Sequence, residues 1–494
     1  MSVNNLKFRR QFLLSPTSSP ELNDWNHDTL GNHHLYVHPD CLLTQTSSNG
    51  KKGILLGHIL DPRHPELPNI DMLTTLLDQE NEEGIAKVLY GLVGRFVLII
   101  EDNNSFTFFN DACGLKSLFY TKHKQQFYAA SQPLLLQLVT EDLIVKEDRY
   151  HSYFNSDYVK GSKENWFPSG TSLYPGVYHM VANHYLKSET LTQTRYWPVK
   201  QLHIEHYEES KAKFAELLKL TLDAGSKKYN LGLGLTSGFD SRILLSASKN
   251  AKKNMLFYTL QYRDLDAASD DIKIPSSLSN KLDLNYKVMD CRLPISEDFK
   301  AAYLGNSDMA HIDDWGYIAY GISQNFPEDT MSVKGSCSET GRCFFYKNGS
   351  HPNIKSSEDI MNINPKWKGI PFIRERISDW YDEVKQAANN KGYNILDLFH
   401  WEVSTGSWQT QSQLEWDIVH DTFTPFNNRE LLDIMLRIDT KYRSKPKYTL
   451  YRDTMKKLWP EVLLEPINPE TTKTKVKYKF KSILAKLGFE KYNR

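Results

Sequence analysis

The stretch Leu-Gly-Leu-Gly-Leu-Thr-Ser-Gly-Phe-Asp-Ser-Arg-Ile-Leu-Leu-Ser-Ala-Ser-Lys, residues 231–249, leaves the chain few folds to choose from. Its apolar opening, Leu231 to Leu235, is too short for a lone helix and suits a buried parallel strand. Thr236, Ser237 and Gly238 then form a small, hydroxyl-bearing loop. After Phe239, Asp240 and Ser241 are placed to cap a helix whose apolar side is Ile243, Leu244 and Leu245. A strand, a tight loop and a helix start aim backbone N–H groups and a helix dipole at one point, which draws an anion, phosphate above all. Thr236, Ser237 and Ser241 add hydroxyls. Asp240 adds a negative charge that a bridging divalent cation such as Mg²⁺ relieves. An ordinary strand–helix turn is the alternative reading.

Thr-Ser-Gly-Phe-Asp-Ser-Arg resembles the PP-loop of the ATP pyrophosphatases, Ser/Thr-Gly-Gly-x-Asp-Ser. Within them it is most similar to the asparagine synthetase family, whose divergent members read Thr-Gly-Gly-x-Asp-Ser-Arg. The resemblance implies ATP and Mg²⁺ as cofactors, held by Leu235, Thr236, Ser237, Gly238, Phe239, Asp240 and Ser241. Ser237 replaces the first glycine of the pair and is expected to narrow the pyrophosphate cradle, since glycine permits close backbone approach and positive φ.

Downstream, Met255–Leu260 reads as a buried strand, Leu284–Met289 as a further strand and residues 268–282 as a helix. Upstream, Phe214, Leu217, Leu218 and Leu220 mark a packing helix from Tyr207 to about Lys227. Such alternation predicts a parallel, right-handed α/β sheet whose ligands lie beyond the carboxyl ends of its strands. On that topology Leu260 and Gln261 flank the adenine.

A second constellation, Val333-Lys-Gly-Ser-Cys-Ser-Glu339-Thr-Gly-Arg342-Cys-Phe-Phe-Tyr346, resembles the synthetase word Ser-Gly-Asp/Glu-Gly-x-Asp-Glu-Leu-Phe-Gly-Gly-Tyr. Ser336 stands at the first acid, which leaves Glu339 as the sole carboxylate. By resemblance, Asp240 and Glu339 are the catalytic and metal-binding acids. Arg342 can grip a carboxylate or phosphate bidentately. The plainer reading of Glu339 and Arg342 is a surface ion pair at i, i+3. Asp313 and Asp314, beside His311 and Trp315, read as solvated loop acids. Residues 395–466 read as helical with mostly core aromatics, and Lys473–Arg494 as a basic tail. The family's transition-state lysine has no certain counterpart; Lys445, Lys447 and Lys473 are its candidates.

The first half reads as strands and turns, with runs at Ile54–Leu60 and Phe96–Ile100 and polar turns at Asn103-Asn104 and Lys122–Gln125. Gly94-Arg-Phe96, Asn110-Asp111-Ala-Cys-Gly114-Leu-Lys-Ser-Leu118-Phe-Tyr120 and Tyr128-Ala-Ala-Ser131 resemble the Ntn-hydrolase-type αββα glutaminase half of the same family. That half needs an N-terminal cysteine nucleophile, yet Ser2 stands there, and Leu56-Gly57-His58-Ile59 occupies the place of the Asn-Gly-Glu substrate motif. No glutamine hydrolysis is expected. His27, His33, His34 and His38 lack Cys or carboxylate partners at ligand spacing and read as sheet and surface residues rather than a metal set.

At 494 residues the chain is too long for one core. Its expected division is an Ntn-like α+β domain (1–198), a PP-loop α/β domain with a helical C-terminal part (199–470), and a tail (471–494). Lys plus Arg balance Asp plus Glu at 60 each, so no global field favours nucleic acid. No apolar run reaches membrane-spanning length. A missing signal peptide and five scattered cysteines without Cys-x-x-Cys spacing point to the cytoplasm, and away from a disulfide framework or zinc site. The expected activity is ATP-dependent amide-bond formation through an acyl-adenylate, joining small-molecule or peptide carboxylates and amines. Asparagine synthesis from glutamine or ammonia is the nearest alternative. A non-catalytic nucleotide-binding protein is the alternative of another class.

Overall fold

The computed structural model describes residues 6–140, 143–346 and 350–469. Ser2, Lys473 and the tail lie outside the described residues. Among the described residues, twelve strands build the first half: β1 (Phe12–Ser15), β2 (Asn26–Leu30), β3 (His33–Val37), β4 (Leu43–Ser48), β5 (Lys51–Leu60), β6 (Val93–Asp102), β7 (Ser105–Asn110), β8 (Phe119–His123), β9 (Gln126–Ala130), β10 (Tyr178–His179), β11 (His184–Lys187) and β12 (Thr192–Arg195). They form two six-stranded antiparallel sheets, ordered β10-β8-β9-β1-β3-β2 and β12-β11-β7-β6-β5-β4.

Strand alternation explains why the sheets stack. Ile54 and Leu56 of β5 and Val97 and Ile99 of β6 face Phe12, Leu14 and Leu35 of the other sheet. The intervening Leu55 and Leu98 point the opposite way, onto helices Asn69–Leu77 and Glu82–Leu89. On the far sheet, Leu13 and Ala130 pack with Leu135 and Leu136 of the helix Pro133–Gln137. The resulting order is helix, sheet, sheet, helix. The expected turns are present: Asn103 and Asn104, then Lys124 and Gln125, all take positive φ, which suits the twist of tight hairpins.

The segment 56–59, which stands in place of the Asn-Gly-Glu motif, is strand. It lies inside β5, where Gly57 has φ +106° and an added Cβ would sit 2.1 Å from the Arg95 carbonyl oxygen. His58 beside it is fully buried against the second half, 3.6 Å from Asp421. The N-terminal histidines are spoken for within the sheet. His27 and His34 stack and share a ring-nitrogen hydrogen bond of 3.0 Å, and His33 bonds the Phe127 carbonyl.

The second half carries a parallel sheet ordered β15-β14-β13-β16-β17. Its strands are β13 (Asn230–Gly234), β14 (Met255–Gln261), β15 (Tyr286–Asp290), β16 (Thr330–Val333) and β17 (Thr422–Phe423). The apolar run that opens the loop is therefore the central strand. The helix before it spans Tyr207–Lys228 and buries Phe214, Leu217, Leu218 and Leu222. The helix before β15 spans Asp270–Leu282.

Charged side chains join the halves. Arg95 is fully buried and donates to both oxygens of Asp417, at 2.5 and 2.8 Å, and to the Leu115 carbonyl. Asp111 accepts N–H bonds from Leu115 and Lys116 and an amide bond from Asn427. The family-like words at 94–96 and 110–120 thus hold the joint between the halves. No helix among the described residues is long and apolar enough to cross a membrane.

Candidate nucleotide site

At the carboxyl end of β13 the chain turns through residues 235–238 into the helix Phe239–Ala247. The helix begins two residues earlier than a cap at Asp240 predicts, and three earlier than a cap at Ser241. Gly238 is its N-cap and no side chain caps it. Ser241 reaches back into the loop instead: its Oγ accepts the Thr236 N–H at 3.1 Å and lies 3.0 Å from the Thr236 hydroxyl. The Thr236 hydroxyl in turn accepts the Gly238 N–H.

Ser237 is not in the left-handed region, so its replacement of glycine costs no backbone strain. Its side chain does not fill the turn. Both its hydroxyl, at 2.6 Å, and its N–H, at 2.9 Å, donate to Asp271 in the first turn of the next helix. A carboxylate therefore sits on one of the loop's N–H groups, where the sequence places a phosphate.

Asp240 points the other way, toward the short 3-10 helix Ser338–Arg342. It accepts from the Ser338 hydroxyl and, at 2.9 Å, from Arg342 Nη2, which also lies 3.2 Å from Glu339. These groups are largely shielded from water, so the surface ion pair is corrected to an enclosed acid–guanidinium–acid cluster. Gly335 makes room for it, because a Cβ there would lie 2.8 Å from Asp240 Cβ. Burial, only partly offset by Arg342, raises the Asp240 carboxyl above its usual range. Burial and then the Asp240 charge push Glu339 up to about 7.

That shift has a consequence for stability. A carboxyl whose pKa rises from 4.5 to about 7 on folding stabilises the protein fully only below about pH 4.5, and that contribution is lost as pH rises through 7. Glu339→Gln, which mimics the protonated acid, is expected to melt near wild type at pH 5 and above it at pH 8. Equal melting offsets at both pH values would show that Glu339 is an ordinary exposed acid.

A cleft of about 350 Å³ opens beside the loop. Gly234, Leu235, Thr236, Asp240 and Ser241 line one side, and Tyr258, Thr259 and Leu260 of β14 another. Trp315, Trp408 and Trp416 add aromatic wall, and Asp271 and Lys334 bring charge. Lys334 follows β16 directly. Its Nζ lies 4.1 Å from the Trp416 ring centroid, and among the described residues no carboxylate comes within 4 Å of it. Burial pushes this ammonium down to about 7. Trp416 Nε1 is also buried without a hydrogen-bond partner.

No family model matches this sequence, and no curated protein matches it. Among solved structures, the allosteric regulatory enzyme of purine biosynthesis aligns at 10% identity over 75% of this chain and 87% of that one, with a TM-score of 0.26. The glutamine phosphoribosylpyrophosphate amidotransferase from B. subtilis, complexed with ADP and GMP, aligns at 10% identity over 74% and 88%, with a TM-score of 0.24. Overlays this loose fix neither a fold family nor a chemistry.

The structure brings together most of the residues the sequence singles out. Leu235, Thr236, Asp240, Ser241 and Leu260 line the cleft. Phe239 is buried in the core, while Glu339 and Arg342 stand behind Asp240 rather than on the cleft wall. Lys445 and Lys447 are exposed. Asp314 is not a solvated loop acid: it is buried and paired with Arg263 Nε at 2.7 Å. Arg242, the last residue of the PP-loop-like word, holds the C-terminal segment through the carbonyls of Val462, Glu465 and Pro466.

Sequence reasoning missed Lys334 and Asp271. Lys334 was findable, because it ends a β-type run at the edge of the sheet where ligands bind. Asp271 had only its place in the first turn of a helix as a signal.

Tested against the donors present, a divalent cation does not fit Asp240 with Asp271 as they stand, because Asp240 is turned to Ser338 and Arg342 while Asp271 accepts from Ser237. Nor does it fit between Asp240 and Glu339, where the Arg342 guanidinium already supplies the positive charge.

Proposed function

We propose that this chain is an ATP-dependent ligase of the asparagine synthetase type, built on a PP-loop nucleotide domain. In this reading its Ntn-hydrolase-like first half does not release ammonia from glutamine. A substrate carboxylate attacks the α-phosphorus of ATP and displaces pyrophosphate. An amine then attacks the acyl carbon and displaces AMP, giving an amide. Supporting the first-half assignment are two stacked antiparallel sheets between helices.

The observation that carries the reading is a lysine without a carboxylate partner on the wall of the cleft at the central strand's loop. An unpaired, half-buried cation calls for an anion. Lys334 would hold charge on a phosphate or on the substrate carboxylate, beside the loop hydroxyls of Thr236 and Ser241. For Mg²⁺ to accompany ATP, Asp240 and Asp271 would first have to leave Arg342 and Ser237; freed, they would be its ligands, and it would supply charge for the leaving pyrophosphate. For a phosphate to take the Ser237 N–H, the Asp271 carboxylate must leave it. Glu339 stands behind Asp240 and shares the Arg342 guanidinium with it.

The occupied Ser237 N–H favours a second reading, a nucleotide binder without turnover. Pyrophosphate release separates the two. Incubation with MgATP and a panel of carboxylates, with and without amines, is expected to release pyrophosphate for at least one pair, matched by AMP. Binding of ATP without pyrophosphate across the panel would favour the binder. With labelled glutamine alone, no glutamate above background is expected; release of glutamate at enzymatic rates would overturn the account of the first half.

A further inference from the structure

We infer that Cys343, His351 and Asp397 form a zinc site that fastens the segment carrying Glu339 and Arg342 to the C-terminal helices. The inference does not depend on the nucleotide reading. One ligand atom from each of the three residues lies within 4.8 Å of the others, and among the described residues this is the one such group of three or more His, Cys, Asp and Glu.

The chemistry of the donors is that of zinc: a sulfur, an imidazole nitrogen and a carboxylate oxygen would fill three of the four positions of tetrahedral Zn²⁺, with the fourth left to water. Both ring nitrogens of His351 are shielded from water and have no hydrogen-bond partner. A buried imidazole with neither nitrogen satisfied is costly, and an ion on one of them removes that cost. Cys343 is 1% exposed and Asp397 5%, so the site is closed to water on two sides. A nucleophilic Cys–His–Asp arrangement needs an accessible sulfur, which this burial denies.

The surroundings steady the ligands. Arg443 Nη2 lies 3.4 Å from Asp397 Oδ2, while its other donors are taken up by the carbonyls of Ile438 and Gly341. This is the kind of outer contact that orients a ligating carboxylate. Cys343 directly follows Arg342 at the end of the 3-10 helix, whereas Asp397 sits in the helix Ile395–Phe399. Zinc between them would tie the acid–guanidinium cluster to that helix. Ligands 8 and 46 residues apart, counting from Cys343 to His351 and from His351 to Asp397, leave no spacing motif to recognise.

The test uses the full chain. Protein stripped with a chelator and dialysed is titrated with Zn²⁺ and, in parallel, with Co²⁺ as a spectroscopic probe. One equivalent of either ion is expected to bind. Cobalt should give the thiolate charge-transfer band and the visible bands of a tetrahedral site. Cys343→Ser should lose the charge-transfer band and His351→Ala should lose stoichiometric uptake, whereas Cys291→Ser should retain both. Circular dichroism checks that each variant folds. Should Cys343→Ser fail to fold, the wild-type cobalt spectrum and a zinc-dependent rise in melting temperature decide the matter. No stoichiometric binding by wild type, cobalt bound without a sulfur band, or a band that survives in a folded Cys343→Ser would overturn the site.

Discussion

Lys334→Met is expected to reduce ATP-dependent pyrophosphate release by about 10²- to 10³-fold, the loss typical of removing one positioned electrostatic group from a reacting centre. Methionine keeps the unbranched shape of the side chain, one atom shorter, so the variant removes the ammonium over Trp416 and little else. Because the ammonium has no carboxylate partner to lose and is half-buried, melting is expected to stay level or rise slightly. A fall in activity with intact melting assigns the lysine to the reaction. Full activity in Lys334→Met would mean that the anion binds elsewhere. Asp240→Asn is a less clean probe, since it strips Arg342 of a partner at 2.9 Å inside an enclosed cluster and alters stability and chemistry together.

The largest stability effect is expected at the joint between the halves. Arg95→Met leaves Asp417, 1% exposed, without the guanidinium that donates to both its oxygens. Breaking a buried pair from one side costs about 3–5 kcal/mol, because the remaining charge stays desolvated. Lys116, 3.8 Å from Asp417, recovers only part of this. The double variant Arg95→Met/Asp417→Leu removes both charges and is expected to regain most of the loss. Urea denaturation of the single and double variants measures the coupling. A single-variant loss below about 1 kcal/mol, the range of exposed pairs, would show that the joint is solvated and that Arg95 does not hold the halves together.

Where local pattern decides structure, the sequence was readable. The β-type runs Ile54–Leu60 and Phe96–Ile100 lie in strands, and the apolar run at 231–235 marks the central strand. The hairpin at 103–104 follows from asparagines, which tolerate positive φ, and the one at 124–125 from a polar run between strands. Partners distant in sequence were not readable. Nothing near Ser237 announces that Asp271, 34 residues on, takes its N–H. Nothing near Asp314 announces Arg263, and its loop-like surroundings made it look solvated. The words at 94–96 and 110–120 look like a glutaminase signature, yet Arg95 and Asp111 spend their polar atoms on Asp417, Asn427 and neighbouring backbone. The glycine-to-serine change at 237 looked like an obstruction because a sequence does not say which way a side chain turns.

Whether a nucleotide occupies the cleft at the loop after β13 can be read directly by photolabelling with an azido-adenine analogue of ATP, followed by peptide mapping. The account predicts that label falls on peptides bearing Leu260, Trp315, Trp408 or Trp416, and that excess MgATP suppresses it. Label confined to other peptides, or label that MgATP does not suppress, would contradict it.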